Sequence, residues 1–261
     1  MEDKFSLEFE HLGQSGVLIT SNKIKILVDP YLSNSVQELD SSDLERKVVS
    51  RYQPNEMKNI DWILITHDHL DHCDPHTLPL LAQNNPQSKF IGPKTVRKIL
   101  LKWNILPERI LYPPSNPLHL GSGISVRATP AAHPELKYDD EGLPVAVGWL
   151  FEYQSSKIYM AGDTSVCHEL IDSLEKFKPI DVAVLPVNED NFYRRRRGII
   201  GNMSIREAFQ LALDIEAKSL VPVHWDLFEA NSASPDEIQA VYKSSDHWSF
   251  DLCMHIDEIS I

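Results

Sequence analysis

The chain has 261 residues, 42% of them apolar, enough for one large domain with a substantial core, and it contains no run of about 18 uncharged apolar residues that would cross a membrane. Its formal net charge of −13 works against an extended nucleic-acid groove, because affinity for a polyanion rests on Lys and Arg neutralising phosphates. Cys73, Cys167 and Cys253 suggest neither a disulfide framework nor a Cys-x-x-Cys zinc site, and they read as reduced thiols used mostly in packing.

The start, Met1-Glu2-Asp3-Lys4-Phe5, lacks the apolar segment of a signal peptide, so a soluble cytoplasmic protein is expected. Short β-like runs follow: Ser6 to Glu10, Val17 to Thr20 after the turn Gly13-Gln14-Ser15-Gly16, and Lys25 to Val28 before Asp29-Pro30. They read as adjacent antiparallel strands. Asp29, at a strand end, is either a turn former or an acceptor for the N–H of a metal-ligating imidazole. Residues 33–59 are polar with weak periodicity and read as an inserted rim or lid, partly helical.

The next apolar strand, Ile60 to Ile65, runs straight into Thr66-His67-Asp68-His69-Leu70-Asp71-His72. Three imidazoles and two carboxylates in six residues, where a buried strand opens into a turn, are more metal-ligating groups than a fold needs for stability. In such a turn His67 and His69 can face one ion while Asp71 and His72 face another, with Asp68 and Leu70 pointing away. Asp74-Pro75 has the form of an N-cap followed by proline at the first helical position, for a short helix through Leu81. A strand at Lys89 to Gly92 and an amphipathic helix from Lys94 to Ile105 repeat the strand–helix rhythm of a layered α/β fold.

Strand patterns return at Ile110 to Tyr112, Leu118 to Leu120, Ile124 to Ala128, Val145 to Tyr153 and Lys157 to Ala161. His133 stands just past one strand end and Asp163 past another, after Gly162, where a side chain can reach a cleft. Asp163 is placed to offer both carboxylate oxygens to two ions, with capping of a helix from Val166 to Phe177 as the other use of that position. The strand Asp181 to Val187 ends at Asn188. The basic run Arg194-Arg195-Arg196-Arg197 after Phe192-Tyr193 suits either an anionic substrate group or a solvated surface or subunit contact. Ser204-x-x-Glu207 is a capping box for a helix through Ala217, the strand Ser219 to Val223 ends in His224, Ser234-Pro235-Asp236-Glu237 opens a last helix, and a strand around Leu252 to Ile256 closes the chain.

Ordered as His67, His69, Asp71, His72, His133, Asp163 and His224, these strand-terminal residues resemble the metallo-β-lactamase superfamily. The resemblance implies a four-layer αββα sandwich of two mixed sheets, formed by 1–261 as a single domain. It also implies that His67, His69 and His133 bind one divalent metal, that Asp71, His72 and His224 bind a second, and that Asp163 bridges them. Two such ions lower the pKa of a shared water, so that a metal-bound hydroxide exists near neutral pH, which Asp71 can orient.

Within the superfamily, Arg197-Gly198-Ile199-Ile200-Gly201-Asn202-Met203 with Arg206-Glu207-Ala208, Gly13 to Gly16 and Val28-Asp29-Pro30 look like the UlaG branch, the L-ascorbate-6-phosphate lactonases. That likeness implies a manganese-dependent lactonase, although the donor set equally suits zinc or iron. Asn188, Asn202 and one of Arg194 to Arg197 would then position a small phosphorylated substrate. The chain departs from the branch at Glu189-Asp190, where Gly-Arg is expected, and this bears on the substrate. A phosphodiesterase acting on a small or lipid diester and a catalytically silent sensor are the other readings, and a homo-oligomer is compatible with the surface charge.

Overall fold

The computed structural model describes residues 6–21 and 23–261, so the reading of Met1 to Phe5 lies outside the described residues. A six-stranded sheet is built in chain order from β1 (Glu8–Gly13), β2 (Gly16–Ser21), β3 (Ile24–Val28), β4 (Trp62–Leu64), β5 (Lys89–Ile91) and β6 (Ile110–Leu111). The hairpins β1–β2 and β2–β3 are antiparallel, as the sequence pattern predicts, while β3 to β6 run parallel. The second sheet has seven strands: β7 (Leu118–Gly121), β8 (Ile124–Pro130), β9 (Val147–Tyr153), β10 (Ser156–Met160), β11 (Val182–Pro186), β12 (Ser219–Val223) and β13 (Asp251–Leu252).

Alternation along the strands makes the layers. In β4, Trp62 and Leu64 face the core between the sheets, while Ile63 and the following Ile65 pack outward beneath α2 (Leu78–Asn84) and α3 (Lys94–Lys102). In β11, Val182 and Val184 face inward, while Ala183 and Leu185 pack outward among α4 (His168–Glu175), α5 (Ile205–Asp214) and α6 (Pro235–Lys243). Both faces of each strand are buried, which is why these runs are continuously apolar. The result is the four-layer αββα sandwich with two mixed sheets.

Because β8 and β10 both pair antiparallel with β9, they run the same way. β11 and β12 continue parallel to β10. The C-terminal ends of β8, β10, β11 and β12 therefore open on one edge of the sheet, and β4 brings its own end there, where Val147 N donates to Thr66 O at 3.0 Å. Residues 33–59 hold one short helix, α1 (Ser35–Leu39), and are otherwise irregular. They are tied down by Arg46, which donates to the carbonyls of Tyr31 at 2.9 Å and Ser33 at 3.3 Å and stacks on the Tyr31 ring.

Several helix ends differ from expectation. Asp74 accepts from His76 N and Thr77 Oγ1 and closes a turn, so the helix proper starts at Leu78. The helix predicted over Val166 to Phe177 is confined to His168–Glu175 and starts at Cys167 without a side-chain cap. The capping box at Ser204 and Glu207 is fully formed, but its helix stops at Asp214, before Ala217. Ser234 makes no side-chain cap. The closing strand is only two residues long, and Ile256–Glu258 is a 3₁₀ turn. Among the described residues no helix is long and apolar enough to cross a membrane.

Candidate metal centre

The strand ends bring all seven predicted ligands together. Three sets of donor atoms each lie within 4.8 Å of one another: His67, His69 and His133; Asp71, His72 and His224; and His67, His72 and Asp163. The first two sets are composed of the residues expected at the two ion sites, and the third contains Asp163, the residue expected between them. Asp163 Oδ1 lies 3.3 Å from His72 Nε2, while Oδ2 lies 3.2 Å from His224 Nε2 and 3.6 Å from His133 Nε2. Asp68 and Leu70 belong to none of the sets and line the cavity beside them.

Two of the histidines, His67 and His72, are held from behind through Nδ1. Asp29, buried at the end of β3, accepts from Thr66 N at 2.8 Å and from Thr66 Oγ1 at 2.7 Å. It also lies 2.8 Å from His72 Nδ1, so of its two readings the acceptor for an imidazole is the observed one. Thr66 Oγ1, its proton given to Asp29, accepts from His67 Nδ1 at 3.0 Å. With both Nδ1 atoms occupied, the Nε2 atoms of His67 and His72 turn inward, buried and without a hydrogen-bond partner, as is Asp163 Oδ1. Buried polar atoms are normally satisfied. Ring nitrogens of two imidazoles and a carboxylate oxygen, buried without hydrogen bonds and converging on one point, fit a divalent cation.

Electrostatics divides the cluster. Burial, reinforced by the neighbouring imidazoles, holds His67 well below the usual histidine range and His133 down to about 4. Burial also opposes charge on His72 and His224, but there the carboxylates win: Asp163, Asp71 and Asp29 lift His72, and Asp163 and Asp71 raise His224 to about 9. Burial likewise opposes charge on Asp71 and Asp163, yet the facing His72 and His224 hold both below the usual carboxylate range.

Two glycines permit the close approach of the strand ends. Gly162 has φ +62°, and a Cβ there would lie 2.7 Å from Thr66 Cγ2. At Gly201 a Cβ would meet the Asp190 backbone at 2.4 Å. No aliphatic side chain fits at either position without moving the segment that carries a site residue.

The remaining predicted contacts are dispersed. Asn188 and Asn202 are buried: Asn202 Nδ2 donates to Asn188 Oδ1 at 2.9 Å, and Asn188 Nδ2 donates to Asn231 Oδ1 at 3.0 Å. Asn231, which sequence reasoning missed, is the member of this chain that lines the cavity. It sits in a 3₁₀ turn with no apolar periodicity to mark it.

Arg194 donates to the carbonyls of Glu189 and Ser232, and Arg195 forks onto Asp190. Arg196 is exposed. Arg197 alone of the run lines the cavity, where Nη2 reaches Asp43 Oδ2 at 2.8 Å. That cavity, about 470 Å³, has Asp71, Asp163 and His224 in its wall together with Val36 and Leu44 from the 33–59 segment. Cys73 is buried in the core beneath α2 and is not a member of any candidate ligand set.

Residues 25–225 match the β-lactamase superfamily domain. A UPF0173 metal-dependent hydrolase from Alkaliphilus metalliredigens is 26% identical over 242 residues, covering 92% of this chain and 94% of that protein. Among solved structures, the metallo hydrolase Igni18 of Ignicoccus hospitalis superposes with a TM-score of 0.70 over 98% of both chains at 20% identity. An isothiocyanate hydrolase from Delia radicum gut bacteria does so with a TM-score of 0.69 over 98% of both chains at 16% identity. Fold, ligand order and family match agree: the chain belongs to the metallo-β-lactamase superfamily.

Proposed function

We propose that the protein is a metal-dependent hydrolase, with His67, His69 and His133 holding one divalent ion, Asp71, His72 and His224 holding a second, and Asp163 shared between them. The observation that carries this reading is the convergence of buried, unpartnered imidazole and carboxylate atoms behind a cavity lined by His69, Asp71, Asp163 and His224. It is supported by the metal-dependent hydrolases among the relatives. Ions held there, Mn²⁺ or Zn²⁺, supply Lewis acidity to a polarised oxygen and acidify water toward neutrality. The chain supplies the rest: Asp71 orients the incoming water, and Asn231, held in place by Asn188 and Asn202, faces the substrate's carbonyl side.

The substrate class supported best is a carboxylic ester or lactone. The cavity carries Asp40, Asp68, Asp71 and Asp163 against one guanidinium, Arg197, which is already paired with Asp43. Its upper wall is aliphatic and aromatic, from Val36, Leu44, Ile199 and Phe228. With Asp71 and Asp163 engaged by the ions, Asp40 and Asp68 are the acidic groups left facing a substrate, and the anionic flank of a diester meets repulsion from them. A phosphorylated lactone such as L-ascorbate 6-phosphate has to draw Arg197 away from Asp43.

The test is a panel of L-ascorbate 6-phosphate, uncharged lactones, aryl esters and an aryl phosphodiester, offered to Mn²⁺- or Zn²⁺-loaded protein with His67→Ala alongside. Hydrolysis of a carbonyl substrate, lost in His67→Ala, supports the reading. Turnover of the diester alone overturns it.

A further inference from the structure

Besides Asp29 and Thr66, a further buried polar side chain touches the site without belonging to any of the candidate ligand sets. Gln14 lies in the turn between β1 and β2, is fully buried and has φ +59°. Its Nε2 donates to Asp71 Oδ2 at 2.7 Å and lies 2.9 Å from His224 Nε2. Its backbone carbonyl accepts from His224 N at 3.1 Å, and His11 Nε2 lies 3.1 Å from the same oxygen. His224 itself has φ +64°, a left-handed backbone that an L-residue keeps only where its surroundings hold it. The Gln14 carbonyl is one of the groups that do so.

The contacts are one-sided. Gln14 touches two of the three members of the Asp71, His72 and His224 set, and among the described residues no hydrogen bond joins it to His67, His69 or His133. A ligating carboxylate is normally hydrogen-bonded through its other lone pairs, and such partners change metal affinity about 10–100-fold. Asp71 sits in an irregular loop, 15% exposed, so without a partner its carboxylate is free to rotate.

We infer that Gln14 is a positioning residue dedicated to the second ion: it orients Asp71 and His224, and thereby sets whether the chain holds one ion or two. This rests on the metal assignment proposed above. The sheet that supplies His67 thus also supplies, through its first hairpin, the clamp on a ligand of the opposite sheet.

The experiment compares wild type with Gln14→Met, which keeps the bulk and removes the donor, and Gln14→His, which restores an N–H. Zn²⁺ is titrated against a competing chelator and the bound metal is counted by mass spectrometry. Circular dichroism and the melting temperature of the metal-free proteins report folding. Gln14→Met should bind its first ion with wild-type affinity and its second about 10–100-fold more weakly, with Gln14→His recovering part of that loss. Unchanged binding of both ions, or equal weakening of both, overturns the inference. A wild-type protein that binds no ion at all overturns the metal assignment itself, which is a different result from failure of the Gln14 role. If Gln14→Met does not fold, Gln14→His decides: loss of both ions together contradicts the inference.

Discussion

Asp29 and His72, separated by 43 positions in the chain, meet through a 2.8 Å contact between Oδ2 and Nδ1, and both are fully buried. That contact turns His72 Nε2 toward Asp163 and links the end of β3 to the ligand turn after β4.

Asp29→Asn keeps the shape and an acceptor but removes the charge that fixes the tautomer. Metal affinity should fall about 10–100-fold, with the fold retained. A chelator-competition titration checks this, and unchanged affinity would show that the tautomer of His72 is set elsewhere.

Metal should stabilise the fold. At a free ion concentration about a hundredfold above Kd the gain is about 2.7 kcal/mol. At about 2–4 °C per kcal/mol for a chain of this size, the melting temperature should rise by about 5–10 °C. Thermal unfolding with and without chelator measures it.

Loading should release protons. Despite burial, the facing carboxylates raise His72 and bring His224 to about 9, so the metal-free site favours protons on these rings. An ion takes the unprotonated nitrogen. A raised pKa means protons to displace at every pH below it, so apparent affinity should fall as pH drops below about 9. Calorimetric enthalpies of binding should therefore depend on the ionisation enthalpy of the buffer. Buffer-independent enthalpies would show both rings already neutral.

Gly162→Ala places a methyl 2.7 Å from Thr66 Cγ2 at φ +62°. The strain and the displaced Thr66 should cost about 1–3 kcal/mol in chemical denaturation, and because Thr66 precedes His67, metal occupancy should fall with it. A variant of native stability and full occupancy would show that the strand ends have slack.

Asn231→Ala removes the cavity-facing end of the asparagine chain. Activity should drop by at least about tenfold, in kcat more than in KM, as for a donor that acts on developing charge. A change confined to KM would make Asn231 a ground-state contact only.

The candidate ligands were legible because His67, His69, Asp71 and His72 are crowded at one strand end, and His133, Asp163 and His224 each stand where an apolar run stops. The strand–helix rhythm marked a layered α/β fold, whereas the two-sheet sandwich was implied by the resemblance that the ligand order carries. The residues that support the ligands were less so: Asn231 and Gln14 lie in turns whose partners are set by the packing of two sheets, and no local period encodes that. The four arginines illustrate the converse. Their sequence advertises a binding patch, but Arg194 and Arg195 are engaged by Glu189, Ser232 and Asp190, carbonyls and a carboxylate that only the folded chain brings near.

The most direct measurement is the number of ions per chain in purified protein reloaded with Zn²⁺ or Mn²⁺, compared with Asp163→Ala. Two tightly held ions in the wild type, with at least one lost in the variant, are expected if Asp163 is shared between two sites. A folded wild type that retains no ion after desalting would contradict the metal centre.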